Sequence, residues 1–144
     1  MSILNAQEQL QKMLDDQFVR QHPSVPSYAK PKPKVTKSPA NQLTNDIIKF
    51  LSLKGHHVSR VNTMGVMRDG KYTRGGGTLG ASDLSVIMKN KLGVVIAWEL
   101  EIKIAKDKLS DVQIKYSESV IKAGGHYSVV KTFDDFFEQY NLLY

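Results

Sequence analysis

The 144-residue sequence contains no cysteine and no apolar run long enough to cross a membrane. The absence of cysteine excludes a disulfide scaffold, a cysteine nucleophile and any thiolate-ligated zinc or iron–sulfur site. The first residues also lack the basic-then-apolar order of a secretory signal peptide. These absences predict a cytoplasmic protein, and they remain compatible with a metal held by oxygen ligands.

Charge and hydrophobicity narrow the class of protein further. Hydrophobic residues make up 41% of the chain, which is enough to form a core and argues against a wholly disordered protein. The 20 Lys and Arg against 14 Asp and Glu give a net charge of +6. Such an excess favours a polyanionic partner, either nucleic acid or an anionic membrane surface. Aromatic membrane anchors are sparse in the basic segment 22–40, so we favour nucleic acid.

Proline and glycine divide the chain into three parts. All five prolines fall in 23–39, and all ten glycines fall in 55–125. The Pro- and Lys-rich segment 22–40 is typical of an extended linker. Apolar residues at helical spacing in 1–21 predict an amphipathic helix. Because the linker separates this helix from the expected domain at 41–144, the helix needs a partner surface, for which a second subunit is one candidate.

The apolar pattern of the domain predicts the order α, β, hairpin, β, β, α, β, α. Asp69-Gly70 is a hairpin-turn signal, Ser110 begins the second helix of the domain, and Thr132 N-caps the last one. The strand–helix–strand step near the end predicts a mixed central sheet flanked by helices on both faces. The expected fold class is therefore α/β.

Charged residues concentrate on the strand that contains Glu99, Glu101 and Lys103. Alternation along a strand places these three side chains on one face. Asp83 begins the preceding strand, so a hairpin across residues 90–93 would put Asp83 and Glu101 at the same end of the sheet. Paired carboxylates are typical ligands of Mg²⁺, which can stabilise charge on a phosphate oxygen. The alternative is a solvated strand face, but the apolar run before the charges favours a buried strand.

Four short motifs occur in an order that resembles the VRR-NUC branch of the PD-(D/E)XK nucleases. They are GASD at 80–83, EIK at 101–103, QIKY at 113–116 and AGGHY at 123–127. In that family, G-x-x-D begins a strand, E-x-K lies on the next strand, and Q-x-x-[WY] lies on the following helix. The resemblance covers roughly 41–137. The resemblance implies the αβββαβ nuclease core and metal-dependent phosphodiester hydrolysis. Stand-alone members of this branch are similar to Holliday-junction resolvases and act as homodimers.

The resemblance also implies a role for individual residues. Asp83 and Glu101 would ligate Mg²⁺, for which Mn²⁺ can substitute, with the backbone carbonyl of Ile102 as a third ligand. Lys103 would position the attacking water. Gln113 would support the site from the helix, although Ser110 to Gln113 is also a capping-box pattern. The two roles of Gln113 are compatible.

Two acidic residues mark where the sequence departs from the family pattern. Many members carry a Glu on the first helix that completes the metal shell, whereas Asp46 is the only acid on that helix here. Glu99, two residues before Glu101, is a reserve ligand. The fourth metal position is therefore open between Asp46 and Glu99, with Gln42 and Asn45 as the nearest other polar candidates on the first helix.

Basic residues gather ahead of the strand that begins at Asp83. Segment 47–91 holds eight Lys and Arg against two acidic residues. Four of them are expected to contact phosphates and so to position a duplex without reading its sequence. They are Arg60, Arg68, Lys71 and Arg74. The alternative is an ordinary solvated loop.

These observations lead to the hypothesis of a Mg²⁺-dependent endonuclease that cuts branched DNA such as a Holliday junction. We expect a homodimer whose arm, residues 1–40, is exchanged between subunits or grips the DNA. The resemblance implies a bacterial or phage-encoded protein associated with the nucleoid. Two alternatives stay open. One is a less selective nuclease of the repair or restriction type, and the other is a nucleic-acid-binding module whose site has degenerated.

Overall fold

The fold is taken from a computed structural model, which describes residues 4–61, 66–73 and 75–144. Four α-helices and six strands lie along these residues. They are α1 (Ala6–Gln21), α2 (Pro39–Leu53), β1 (His57–Arg60), β2 (Val66–Arg68), β3 (Lys71–Thr73), β4 (Leu84–Lys89), β5 (Val95–Ile102), α3 (Asp111–Lys122), β6 (His126–Val130) and α4 (Phe133–Leu143). The element order predicted for the domain is confirmed.

Four strands form the main sheet in the order β1-β4-β5-β6. β4 is antiparallel to β1 and to β5, whereas β5 and β6 are parallel. The side chain of Asn90 accepts hydrogen bonds from the backbone N–H groups of Leu92 and Val94 and so closes the β4–β5 turn. Parallel β6 requires a crossover, which α3 supplies. The sheet is therefore mixed and flanked by helices, and the protein is α/β.

One face of the sheet forms the aromatic core. Trp98 and Leu100 on β5 are fully buried on this face. Trp98 stacks on Phe136 of α4 with ring centroids 5.8 Å apart, and Phe50 of α2 meets Phe136 edge-on at 5.5 Å. Because side chains alternate along a strand, the neighbours of Trp98 on β5 must project from the opposite face. The burial of this core therefore decides which residues of β5 reach the other side of the sheet.

The helix α1 packs against α2 and α4 of its own chain. It begins with a capping box between Asn5 and Glu8, and it buries Ala6 and Leu10 in the core. The structure thus differs from the expectation that this helix needs a surface outside the domain. The apolar side of α1 finds its partner within the chain because segment 22–40 is long enough to return α2 alongside it.

The short strands β2 and β3 form a separate two-stranded hairpin. Its turn residues Asp69 and Gly70 both have positive φ, at 49° and 72°. This backbone is that of a type I′ turn, for which Asp-Gly is a preferred sequence. The predicted hairpin is confirmed, and its described side chains are exposed.

Gly80 places the loop before β4 against the first turn of α3. Its φ is +76°, and a Cβ atom at this position would lie 2.5 Å from the backbone carbonyl oxygen of Val112. Gly93 has a similar φ of +80°, but a Cβ there would meet no atom within 4 Å. The loop and α3 can therefore approach this closely only because residue 80 has no side chain.

We predict that Gly80→Ala destabilises the protein more than Gly93→Ala. Both variants place alanine in the left-handed region, which costs about 1–2 kcal/mol. Only Gly80→Ala also forces α3 away from the loop, which adds about 1–3 kcal/mol of overpacking. Denaturant unfolding of the two variants measures the difference directly. Equal losses of unfolding free energy would show that the contact between Gly80 and Val112 is not a constraint.

Candidate active site

Two carboxylates lie opposite each other at one end of the sheet. The β4–β5 register pairs Leu84 with Leu100, and the same register continued outward pairs Asp83 with Glu101. Glu101 is buried, with 3% of its surface exposed, and Asp83 is half-buried. The hairpin that the sequence predicted across residues 90–93 is thus confirmed, and so is the placement of both acids at the end far from its turn.

Asp83 accepts hydrogen bonds from residues at the ends of the two neighbouring strands. Its Oδ2 accepts a hydrogen bond of 2.8 Å from the backbone N–H of Ile102. Its own backbone carbonyl accepts a hydrogen bond of 2.9 Å from the N–H of Val61, which follows β1. The carboxylate of Asp83 is therefore fixed against the end of β5, next to Glu101.

The two oxygens of Glu101 differ in their surroundings. Oε1 lies 3.0 Å from Lys103 Nζ and accepts a hydrogen bond of 2.6 Å from Gln113 Nε2. Oε2 is buried and has no hydrogen-bond partner among the described residues. Burial raises the pKa of the Glu101 carboxyl, the nearby charge of Asp83 raises it as well, and Lys103 and Gln113 act in the opposite direction. The pKa of Glu101 is raised on balance, so its environment disfavours the charged carboxylate.

Gln113 performs both roles that the sequence left open. Its Oε1 accepts a hydrogen bond of 3.0 Å from the backbone N–H of Ser110, which completes the capping box of α3. Its Nε2 donates at the same time to Glu101. Both bonds are possible because a side-chain amide has separate donor and acceptor ends. The start of α3 and the orientation of Glu101 are thus linked through one side chain.

Glu99 holds the start of β4 through two serine hydroxyls. Ser82 donates to its Oε2, and Ser85 donates to its Oε1 at 2.8 Å. Because Ser82 directly precedes Asp83, these bonds fix the backbone on which Asp83 stands. The structure therefore gives Glu99 a structural role, in place of the free carboxylate that a reserve ligand would present.

Asp46 lies in a different environment from the paired acids. It accepts a hydrogen bond of 2.9 Å from Gln42 Nε2 and lines a groove with Ile104, Lys131 and Thr132. Within 4–61, 66–73 and 75–144, the structure brings together no group of three or more His, Asp or Glu side chains that could hold a metal ion. Neither Asp46 nor Glu99 therefore completes a carboxylate cluster with the pair at the end of the sheet.

The donor atoms present fit a hard cation held by few protein ligands. The carboxylates of Asp83 and Glu101 and the carbonyl of Ile102 are all oxygen donors, and Glu101 Oε2 has no competing partner among the described residues. Mg²⁺ is usually bound by one or two carboxylates and keeps several waters. The residues at this end of the sheet therefore match the chemistry of such an ion.

The basic residues predicted to contact DNA are exposed where the structure describes them. Arg60 pairs with Leu84 in the β1–β4 ladder, one residue from Asp83, and its Nη2 donates to Asn41 Oδ1 at 3.0 Å. Arg68 and Lys71 flank the turn of the β2–β3 hairpin and are exposed. The fourth predicted contact, Arg74, lies outside the described residues. The side chains of Arg68 and Lys71 are thus accessible to a polyanion.

Sequence reasoning gave no role to three polar residues that contact or adjoin Glu99. Ser85 lies opposite Glu99 in the β4–β5 ladder, and alternation from Asp83 could have indicated it. Ser82 contacts Glu99 only because of the loop conformation before β4. Tyr127 of β6 lies beside Glu99 in the parallel ladder. The sequence does not indicate the register between β5 and β6, because strands joined through a helix can pair in more than one register.

Comparison with protein families, with curated proteins and with solved structures finds no match for this chain. Within the described part of the chain, none of the helices has both the length and the apolar character needed to cross a membrane. The interpretation of this site therefore depends on its geometry and on the sequence motifs.

We predict that Glu101 makes the protein less stable as pH rises. Its pKa in the folded state lies above the ordinary value of 4.5 for this side chain, so in the interval between the two the folded state binds more protons than the unfolded state. The free energy of unfolding then falls as pH increases through that interval. Glu101→Gln lacks this contribution, so its stability relative to wild type should increase with pH from about 4.5 upward and then level off.

Unfolding free energies of both proteins, measured from pH 4 to pH 8, test this difference. Glu138→Gln, at an exposed position on α4, controls for the exchange itself. Parallel curves for wild type and Glu101→Gln would contradict the prediction.

Proposed function

We propose that the chain is a Mg²⁺-dependent endonuclease of the PD-(D/E)XK type that hydrolyses DNA phosphodiester bonds, with branched DNA as its substrate. The observation that carries this proposal is the meeting of Asp83, Glu101 and Lys103 at one end of a mixed sheet, with one oxygen of the buried Glu101 unpaired. The order of motifs, which resembles the VRR-NUC branch, supports the same conclusion. Mn²⁺ is expected to substitute for Mg²⁺.

The cation would be held by the carboxylates of Asp83 and Glu101 and by the carbonyl of Ile102. When bound, it supplies charge stabilisation on a phosphate oxygen and a lower pKa for a water molecule. Lys103 places an ammonium group 3.0 Å from Glu101 Oε1, where it can orient the attacking water and neutralise charge that develops on the phosphate. Gln113 holds Oε1 from α3 and so leaves Oε2 for the cation.

The exposed basic residues would position the DNA. Arg60, Arg68 and Lys71 can neutralise backbone phosphates without reading the sequence. A two-fold homodimer would carry two such sites and could nick two strands of a four-way junction symmetrically. Because α1 packs on its own chain, the basic segment 22–40 is the part of the arm that we expect to contact DNA.

A nucleic-acid-binding module without catalytic activity is the second candidate. It is favoured by the lack of a third carboxylate beside Asp83 and Glu101 in the described residues. The binding module is also compatible with the ion pair between Lys103 and Glu101, because this pair neutralises the ammonium charge that catalysis would use. The two candidates differ in whether DNA is cut when a divalent cation is present.

We predict that the wild-type protein cuts DNA with Mg²⁺ and that EDTA abolishes this cleavage. Lys103→Ala should lower the cleavage rate by about 100-fold or more, because it removes a charge that stabilises the transition state. Lys106→Ala, at an exposed position three residues away, is the matched control and should cut like wild type. Both variants should still bind DNA.

A four-way junction and a linear duplex of equal length, incubated side by side, complete this experiment. Paired symmetric nicks in the junction are expected from a two-fold dimer. Equal cleavage of both substrates would contradict selectivity for branched DNA and favour a less selective nuclease. No Mg²⁺- or Mn²⁺-dependent cleavage of either one would reject the enzyme and leave the binding module.

We also predict that the β2–β3 hairpin contributes to DNA affinity through phosphate contacts. Arg68→Ala and Lys71→Ala should each weaken binding to any sequence and reduce the slope of log affinity against log salt by about 1. Lys122→Ala, at the end of α3 remote from Gln113, should leave the slope unchanged. Fluorescence anisotropy at several salt concentrations measures these slopes. Unchanged slopes in both hairpin variants would identify the hairpin as an ordinary solvated loop.

A further inference from the structure

Two buried side-chain polar atoms in the described residues have no hydrogen-bond partner, and both lie in the candidate site. They are Glu101 Oε2 and the hydroxyl oxygen of Tyr127. Their strands, β5 and β6, are parallel neighbours, and the register pairs Glu99 with Tyr127 and Glu101 with Val129. Tyr127 and Glu101 therefore project from the same face of the sheet on adjacent strands.

The two atoms are chemically complementary. A phenol hydroxyl can donate one hydrogen bond, and an ionised carboxylate oxygen can only accept. Leaving either buried group unpaired is unfavourable, and the penalty is larger for a charged group. Lys103 and Gln113 both approach the other oxygen of Glu101, so neither satisfies Oε2.

The surroundings of Tyr127 keep its hydroxyl a donor. Burial raises the pKa of the phenol, and the charges of Glu101 and Asp83 raise it further. The ring is held by an edge-on contact with Tyr116 of α3 at a centroid distance of 6.4 Å. A fixed, protonated phenol can stabilise a neighbouring carboxylate only by donating a hydrogen bond to it.

We propose that Tyr127 is a positioning residue of this site, whose hydroxyl donates to Glu101 Oε2 through one shared water molecule. A buried water is stable where it meets two to four polar partners, and the Tyr127 hydroxyl, Glu101 Oε2 and the carboxylate of Asp83 are groups that can supply them. Glu101 is then oriented at both oxygens, at Oε1 by Gln113 and Lys103 and at Oε2 through Tyr127. The consequence for cation binding and cleavage rests on the proposed function.

The first experiment compares Mn²⁺ binding and DNA cleavage by full-length wild type and Tyr127→Phe. Isothermal titration calorimetry should show Mn²⁺ affinity reduced about 10-fold, as is common when an outer partner of a metal ligand is removed. The kcat should fall by a similar factor, while KM for DNA stays unchanged. Tyr144→Phe is the matched control, because Tyr144 stacks on Tyr140 at the end of α4, on the opposite face of the sheet, and its affinity should stay within about 2-fold of wild type.

The second experiment needs no cation. Unfolding equilibria of wild type, Tyr127→Phe, Glu101→Gln and the double variant form a double-mutant cycle. The effect of Tyr127→Phe on the unfolding constant should differ by about 3-fold or more between Glu and Gln at position 101. An additive cycle would overturn the proposal, and so would Mn²⁺ affinity that is unchanged in Tyr127→Phe.

The outcomes separate this proposal from the proposed function. Wild type that binds Mn²⁺ but does not cut DNA rejects the nuclease, while the change in affinity and the cycle still decide the role of Tyr127. If wild type cuts DNA and the cycle is additive, the nuclease proposal stands and the proposed role of Tyr127 is rejected. If wild type binds no Mn²⁺, the proposed function fails, and the cycle alone decides whether Tyr127 is linked to Glu101.

Discussion

The register between β4 and β5 is the constraint on which the candidate site depends. It places Asp83 opposite Glu101, and it places Trp98 on the face covered by α2 and α4. Because side chains alternate, a slip of one residue would move Glu101 into the aromatic core and Trp98 to the opposite face. A carboxylate in the core would be buried without a partner, which is strongly unfavourable. The core and the acidic pair therefore require the same register.

The side chains of the site are held in a fixed arrangement that is locally unfavourable for stability. Glu101 is buried with a raised pKa, although Lys103 and Gln113 stabilise its charge. Gln113 can do so because α3 starts close to the loop at Gly80, where no Cβ atom would fit. Groups held against their preferred environment concentrate at functional sites, where other interactions of the fold maintain them. Here the helix cap, the glycine contact and the strand end all act on one carboxylate.

The parts of this structure that could be predicted from the sequence are those set by local interactions. The turn at Asp69-Gly70, the cap at Ser110 and the alternation that aligns Glu101 with Lys103 each depend on a few neighbouring residues. The docking of α1 could not be predicted, because helical periodicity shows an apolar side but not what covers it. The binding of Glu99 by Ser82 likewise depends on a loop conformation that residue spacing does not encode.

The charges of the site bear on the choice between a nuclease and a binding module. Asp83 and Glu101 would repel the phosphates that Arg60, Arg68 and Lys71 attract, and like charges in a partly desolvated interface are unfavourable. A protein that only binds DNA would gain affinity by replacing these acids with neutral residues. A bound divalent cation reverses this balance, because it neutralises the carboxylates and attracts the phosphate. We therefore take the acidic pair as support for the proposal of an enzyme that would bind a cation together with DNA.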